Sequence, residues 1–159
     1  MRVLSCLALR AALVFGLSLV FAGCGGSDNP TEPSGEGGQI TALIDGSPFS
    51  SDFVTVIQQP GIIAVNGADS EMRAVGFQIP TTGPGTFTLG EGQPVGAGLN
   101  IGDAAWSAGG GLGGGSIDVA SFSETRITGT FSFTLEVVAG GGTPATRSVT
   151  NGQFDVEIP

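Results

Sequence analysis

Arg126-Ile127-Thr128-Gly129-Thr130-Phe131-Ser132-Phe133-Thr134-Leu135-Glu136-Val137-Val138 is the stretch that decides the fold. Ile127, Phe131, Phe133, Leu135 and Val137 share one parity, and Thr128, Thr130, Ser132, Thr134 and Glu136 take the other. Successive strand residues point to opposite faces, so this alternation predicts a half-buried β-strand with an apolar and a polar side. Gly129 interrupts the apolar parity. A glycine inside a strand predicts a bulge or a close neighbour. The end of the chain repeats the pattern, with Phe154, Val156 and Ile158 alternating against Gln153, Asp155 and Glu157. A Gly/Thr/Pro stretch at 139–145 separates the two segments, which predicts a terminal hairpin. Asn151-Gly152 predicts a bulge or a turn that bends the closing strand.

Shorter strands are expected upstream. Ile40–Ile44 runs into Asp45-Gly46, a pair suited to the positive φ of a tight hairpin. Phe49 and Phe53–Ile57 follow as a second strand, and Gln58-Gln59-Pro60-Gly61 as a turn. Ile62–Val65 is a third strand, ended by Asn66-Gly67. Met72–Ile79, Gly85–Leu89, Ala97–Ile101, Ala104–Ser107 and Ser116–Phe122 complete the set, the last lying beyond a glycine-rich loop at 108–115. No window after the first residues offers a helical face. The fold class is therefore all-β, an antiparallel β-sandwich or barrel of roughly 8–10 short strands spanning residues 39–159.

The start of the chain has a different logic. Arg2 and Arg10 flank the first ten residues, which hold no acid, and Ala11–Phe21 is apolar apart from Gly16 and Ser18. A positive region, a short apolar run and small residues at 22 and 23 make a secretory signal peptide. The run is too short for the roughly 20 residues that cross a bilayer. Leu17-Ser18-Leu19-Val20-Phe21-Ala22-Gly23-Cys24 resembles the lipobox of bacterial lipoproteins, with Phe21 where those proteins usually carry Leu. The resemblance implies a cleaved signal peptide at 1–23 and a lipid anchor on Cys24. Gly25, standing where inner-membrane retention signals usually carry Asp, implies the outer membrane if the host has one. Each buried CH₂ of an acyl chain contributes about 0.8 kcal/mol, so two or three chains hold durably. Residues 24–38 then form the lipidated cysteine and a flexible linker of Gly, Ser, Pro and acids. Such a linker reaches on the order of 20 Å.

Composition narrows function by exclusion. The 159 residues carry a formal charge of −9, with five basic and 14 acidic side chains. Loss of the signal peptide removes Arg2 and Arg10, so three arginines face 14 acids and the net charge is −11. Such a surface repels phosphate backbones, and no nucleic-acid partner is expected. Cys6 leaves with the signal, so no internal disulfide is available. His, Tyr and Lys are absent, which removes Ser-His and Cys-His nucleophile pairs and Schiff-base chemistry. No cofactor is expected. Gly109–Gly114 formally satisfies G-x-G-x-x-G, but no helix follows it and nearly every position is glycine, so it reads as a loop.

Three candidate sites remain. Asp45, Asp52, Asp69, Glu71, Asp103 and Asp118 could supply a carboxylate pair for glycoside hydrolysis, although no spacing singles out a pair. Asn66, Asp69 and Glu71 gather oxygen ligands in one segment and are the candidates for calcium. Trp106, the only tryptophan, is either a core anchor or a stacking surface for a sugar ligand.

Ile40-x-Ala42-x-x-Asp45-Gly46-x-x-Phe49, Gly129-Thr130-Phe131-x-Phe133 and Thr150-Asn151-Gly152-x-Phe154 resemble motifs of a family of small β-rich bacterial lipoproteins whose domains are of unknown function. The resemblance implies an all-β fold and a tethered location outside the cytoplasm. It implies no reaction. The expected protein is thus a lipid-anchored envelope module with a non-enzymatic β-domain that binds a protein or glycan, or serves a structural role. A carboxylate-dependent polysaccharide hydrolase and a calcium-dependent adhesion module are the alternatives.

Overall fold

The structure, a computed structural model, describes residues 37–140 and 142–159. The expected signal peptide, Cys24 and the linker as far as residue 36 lie outside the described residues. Eleven strands run through the rest: β1 (Gly38–Ile44), β2 (Ser47–Ser50), β3 (Phe53–Gln59), β4 (Ile62–Ala68), β5 (Arg73–Pro80), β6 (Gly85–Leu89), β7 (Ala97–Ile101), β8 (Ala104–Ala108), β9 (Gly114–Phe122), β10 (Arg126–Ala139) and β11 (Thr146–Glu157). All pair antiparallel in one sheet, in the order β2-β1-β11-β10-β8-β7-β5-β4-β3, with β6 joined through β9 to β10. The sheet curls into a half-barrel, so the all-β antiparallel class is realised by one sheet bent on itself and not by two packed sheets.

β10 organises the sheet. β11 covers one of its edges from Arg126 to Glu136. The other edge is divided, with β9 taking Ile127–Thr134 and β8 taking Glu136–Ala139. The hairpin with β11 is as expected. Ile127, Phe131, Phe133 and Leu135 are buried, while Thr130, Ser132, Thr134 and Glu136 are exposed.

The interior is aromatic at its centre. Phe77 of β5 lies 4.9 Å from Phe131 of β10 and 5.1 Å from Phe154 of β11, centroid to centroid. Phe131 stacks on Phe133 at 5.0 Å. β5 is no ladder neighbour of β10 or β11, so these contacts cross the inside of the curl. Ring pairs at such distances add to the area they remove from water. Ser51 is buried, and its Oγ accepts the Ile40 N–H at 2.9 Å.

Two glycines are imposed by this packing. A Cβ on Gly129 would collide with the Asp118 carbonyl oxygen and lie 2.6 Å from Cζ of Phe154, and one on Gly152 would collide with the Phe131 ring. The register of β11 shifts at this point against both neighbours, with Thr150 and Asn151 opposite Ser132 of β10 and Asn151 and Gly152 opposite Ala42 of β1, so a bulge lies within the strand. Asn151 takes the left-handed conformation there, with φ of 52°, which asparagine tolerates better than most residues. Asp45 and Gly46 turn the β1–β2 hairpin with φ of 48° and 83°.

Asn66-Gly67 departs from the expected turn. Both residues sit inside β4, and a Cβ on Gly67 would fall 2.8 Å from Cδ1 of Ile40. Tertiary contact overrides the local turn preference, because this glycine is needed for the approach of β1. The expected second strand is also divided. β2 ends at Ser50, Ser51 turns inward, and the Asp52 N–H bonds to Ala68 O at 2.8 Å as β3 begins.

Candidate functional site

The polar parity of β10 continues across its neighbours. Cross-strand register aligns Thr86, Asp118, Thr130, Gln153 and Thr41 in one row over β6, β9, β10, β11 and β1. A second row runs Ser121, Thr128, Asp155, Gln39. A third runs Thr88, Ser116, Ser132. Neighbouring strands lie about 4.8 Å apart, which sets the spacing within each row. The inward partners on these strands, Leu89, Ile117, Val119, Phe131, Phe154 and Ile40, are all buried. That burial directs the row residues to the outside.

The face is preorganised by its own hydrogen bonds. Thr86 Oγ1 donates to Asp118 Oδ2 at 2.6 Å. The hydroxyls of Ser121 and Thr128 are 2.6 Å apart. Arg126 grips Asp155 with Nε and Nη2, at 2.6 and 2.7 Å. This carboxylate raises the pKa of the Arg126 guanidinium, first through the hydrogen bond and then through charge. Two adjoining depressions open between the rows. One, of about 340 Å³, is lined by residues including Thr41, Thr128, Gly129 and Asp155. The other, of about 740 Å³, is lined by residues including Ser116, Asp118, Asn151 and Gly152. Thr130 and Gln153 belong to both.

The calcium candidates do not converge. Asp69 is already engaged. Its Oδ1 accepts the N–H groups of Glu71 and Arg73 at 3.0 and 2.9 Å, and its Oδ2 accepts Arg73 Nε at 2.7 Å. Glu71 is largely exposed and reaches Arg73 Nη2 at 3.2 Å. Asn66 leaves the group, standing on β4 above Gly76. Among the described residues no three His, Cys, Asp or Glu are grouped to hold a metal.

Trp106 is 2% exposed. Its Nε1 donates to Pro144 O at 2.9 Å, and the Arg147 guanidinium lies 4.8 Å over the ring. It is a core anchor, and its burial removes it as a stacking platform for sugar. Arg147 also donates Nη1 to Asp45 Oδ2 at 2.6 Å and Nη2 to Thr143 O at 2.9 Å. Partial burial pushes the Asp45 pKa up, but hydrogen bonds from the Ser148 N–H, Arg147 and Ser148 Oγ outweigh it, and the result is below the usual aspartate value.

The six acids named as possible hydrolase carboxylates are dispersed. Asp45 and Asp69 serve arginines, and Asp52 accepts the Ser70 N–H at 2.7 Å. Asp103 sits exposed in the β7–β8 turn. Asp118 alone lies on the ordered polar face. The sequence reading missed Thr41, Thr86, Thr130 and Gln153 as site residues. Their signal was present as the polar parity of each strand, but only cross-strand register collects them.

Thus the molecule belongs to the class of small curled-sheet β-domains with an ordered polar face. The family model for the domain of unknown function DUF6252 matches residues 37–159, and the chain belongs to that family. Neither the curated proteins nor the solved structures contain a match to it.

Proposed function

We propose that this protein is a lipid-anchored binding module of the cell envelope, held through Cys24 and presenting its β-domain on the 24–38 linker. In a host with two membranes it sits at the outer one. The observation that carries the binding role is the ordered face of β6, β9, β10, β11 and β1. Register lines up polar side chains on any solvated sheet face, and this one adds the Thr86–Asp118 and Ser121–Thr128 hydrogen bonds. Here hydroxyls, amides and carboxylates align over as many as five strands beside two depressions. A non-enzymatic role is supported by the occupation of Asp45, Asp52 and Asp69 by arginine or backbone partners. The lipobox and the linker support the location.

Fractionation tests the anchor. Mass spectrometry of the membrane fraction is expected to find diacylglycerol on Cys24 at a new N-terminus. The Cys24→Ser protein is expected in the soluble fraction. A Cys24→Ser protein that still sediments with membranes would overturn the anchored reading.

A further inference from the structure

We propose that the rows on the outer face form a binding site for an extended neutral glycan, lying across the strands along the line Thr86, Asp118, Thr130, Gln153, Thr41. The proposal rests on the reading of this face as the binding surface and names its ligand class.

Charge argues for a neutral ligand. Each of Arg73, Arg126 and Arg147 is already paired with an acid. No cation among the described residues is free to meet a phosphate, sulfate or uronate, and Asp118 and Asp155 repel anions at close range. Side-chain type argues against a protein partner, because the rows hold no Trp, Tyr or unpaired Arg to anchor a protein interface. What they do hold is a dense set of groups that both donate and accept. Hydroxyls and primary amides have that double capacity, and it matches a ligand whose own hydroxyls do the same.

Geometry argues for an extended ligand. Strand spacing of about 4.8 Å is close to the length of one sugar ring along an extended glycan. A chain crossing the strands would therefore meet an equivalent polar group at each unit. The two depressions share Thr130 and Gln153, so these two residues sit at the middle of the track. Asp118 Oδ2 is committed to Thr86, which leaves Oδ1 to accept from a sugar hydroxyl. Ser132 flanks the track on the same face of β10.

Detergent-solubilised full-length protein, presented to an array of neutral and acidic oligosaccharides of increasing length, tests this. Binding to neutral members that strengthens with length is expected. Thr130→Val with Gln153→Leu should weaken it about tenfold or more, from the loss of two or three neutral hydrogen bonds. Thr86→Val, at the end of the track, should weaken it less and only for the longer chains. Both variants keep outward β-compatible residues, and unchanged melting temperatures confirm their folding. Absence of binding, preference for acidic glycans, or binding indifferent to both variants would overturn the proposal. A Ser132→Cys protein separates the two levels of failure by thiol labelling in intact cells. If no glycan binds but the thiol is shielded in cells, the glycan class falls and the face remains a binding surface. A thiol labelled as freely in cells as in the purified protein would remove the surface reading along with the proposal.

Discussion

The contacts of Phe77 with Phe131 and Phe154 exist only if the sheet curls on itself, and a double-mutant cycle measures that curl. Phe77 sits on β5 and Phe154 on β11, and β10, β8 and β7 lie between them in the ladder. In an open sheet the two positions would be independent. In the curled sheet their rings are 5.1 Å apart, and both approach Phe131. Phe→Leu at either position keeps an apolar side chain and removes the ring, at an expected cost of about 1–2 kcal/mol each. The coupling between them is expected at about 0.5–1.5 kcal/mol, the worth of an aromatic pair beyond its area. Urea unfolding of the Cys24→Ser protein supplies the assay. Trp106 is the sole tryptophan and is buried, so its emission reports unfolding without a label. Each single variant should lower the midpoint at an unchanged slope. A double variant whose loss equals the sum of the singles within about 0.3 kcal/mol would refute the curled arrangement.

Three further outcomes follow from the packing and the ion pairs. Gly152→Ala should destabilise by about 1–3 kcal/mol, because its Cβ would meet the Phe131 ring; a neutral effect in the same urea assay would mean that β11 can shift at the bulge. Asp45→Asn keeps a residue tolerant of positive φ and removes only the charge, so it should cost no more than about 1 kcal/mol near neutrality. The folded pKa of Asp45 lies below the ordinary aspartate value. Its contribution is therefore fully present above that value and lost as pH falls through the folded pKa. Melting curves of the two proteins should converge in acid, and a gap that widens there would contradict the assignment. Trp106→Phe loses the bond to Pro144 O and part of the Arg147 stacking, for about 1–2 kcal/mol. Iodide quenching of the native Trp106 should be weak, and strong quenching would show an accessible ring.

Much of this architecture was visible in the alternation of single strands. Residues 126–138 and 153–158 declare their inner and outer sides unaided, because parity is a local property. Asp45-Gly46 declared its hairpin for the same reason. Asn66-Gly67 misled because the demand on Gly67 comes from Ile40, more than twenty residues away, and no local preference encodes it. The curl was hidden likewise, since nothing in the alternation of Met72–Ile79 says that Phe77 will meet β10 and β11. The polar face fell between these cases. Each threonine could be placed on an outer side, but the rows depend on register offsets at Gly129 and at Asn151-Gly152, where glycine makes room for the Asp118 carbonyl and the Phe154 ring and for the Phe131 ring. Trp106 and the calcium candidates illustrate the converse. Residue type suggested ligands, while Arg147 and Arg73 had already taken those groups for the fold.

β1 begins at Gly38 and is bonded on one side to β11 and on the other to β2. A pull applied through residue 37 therefore runs along β1 and strains its rungs side by side, so they must give way together. Pulled apart by residues 37 and 159, which lie at the same end of that ladder, the two strands would peel open one rung at a time. Single-molecule stretching in the two directions should show a high rupture force for the first and a low one for the second. If the domain is anchored and binds as proposed above, this loading direction would let it hold against drag on its outer face.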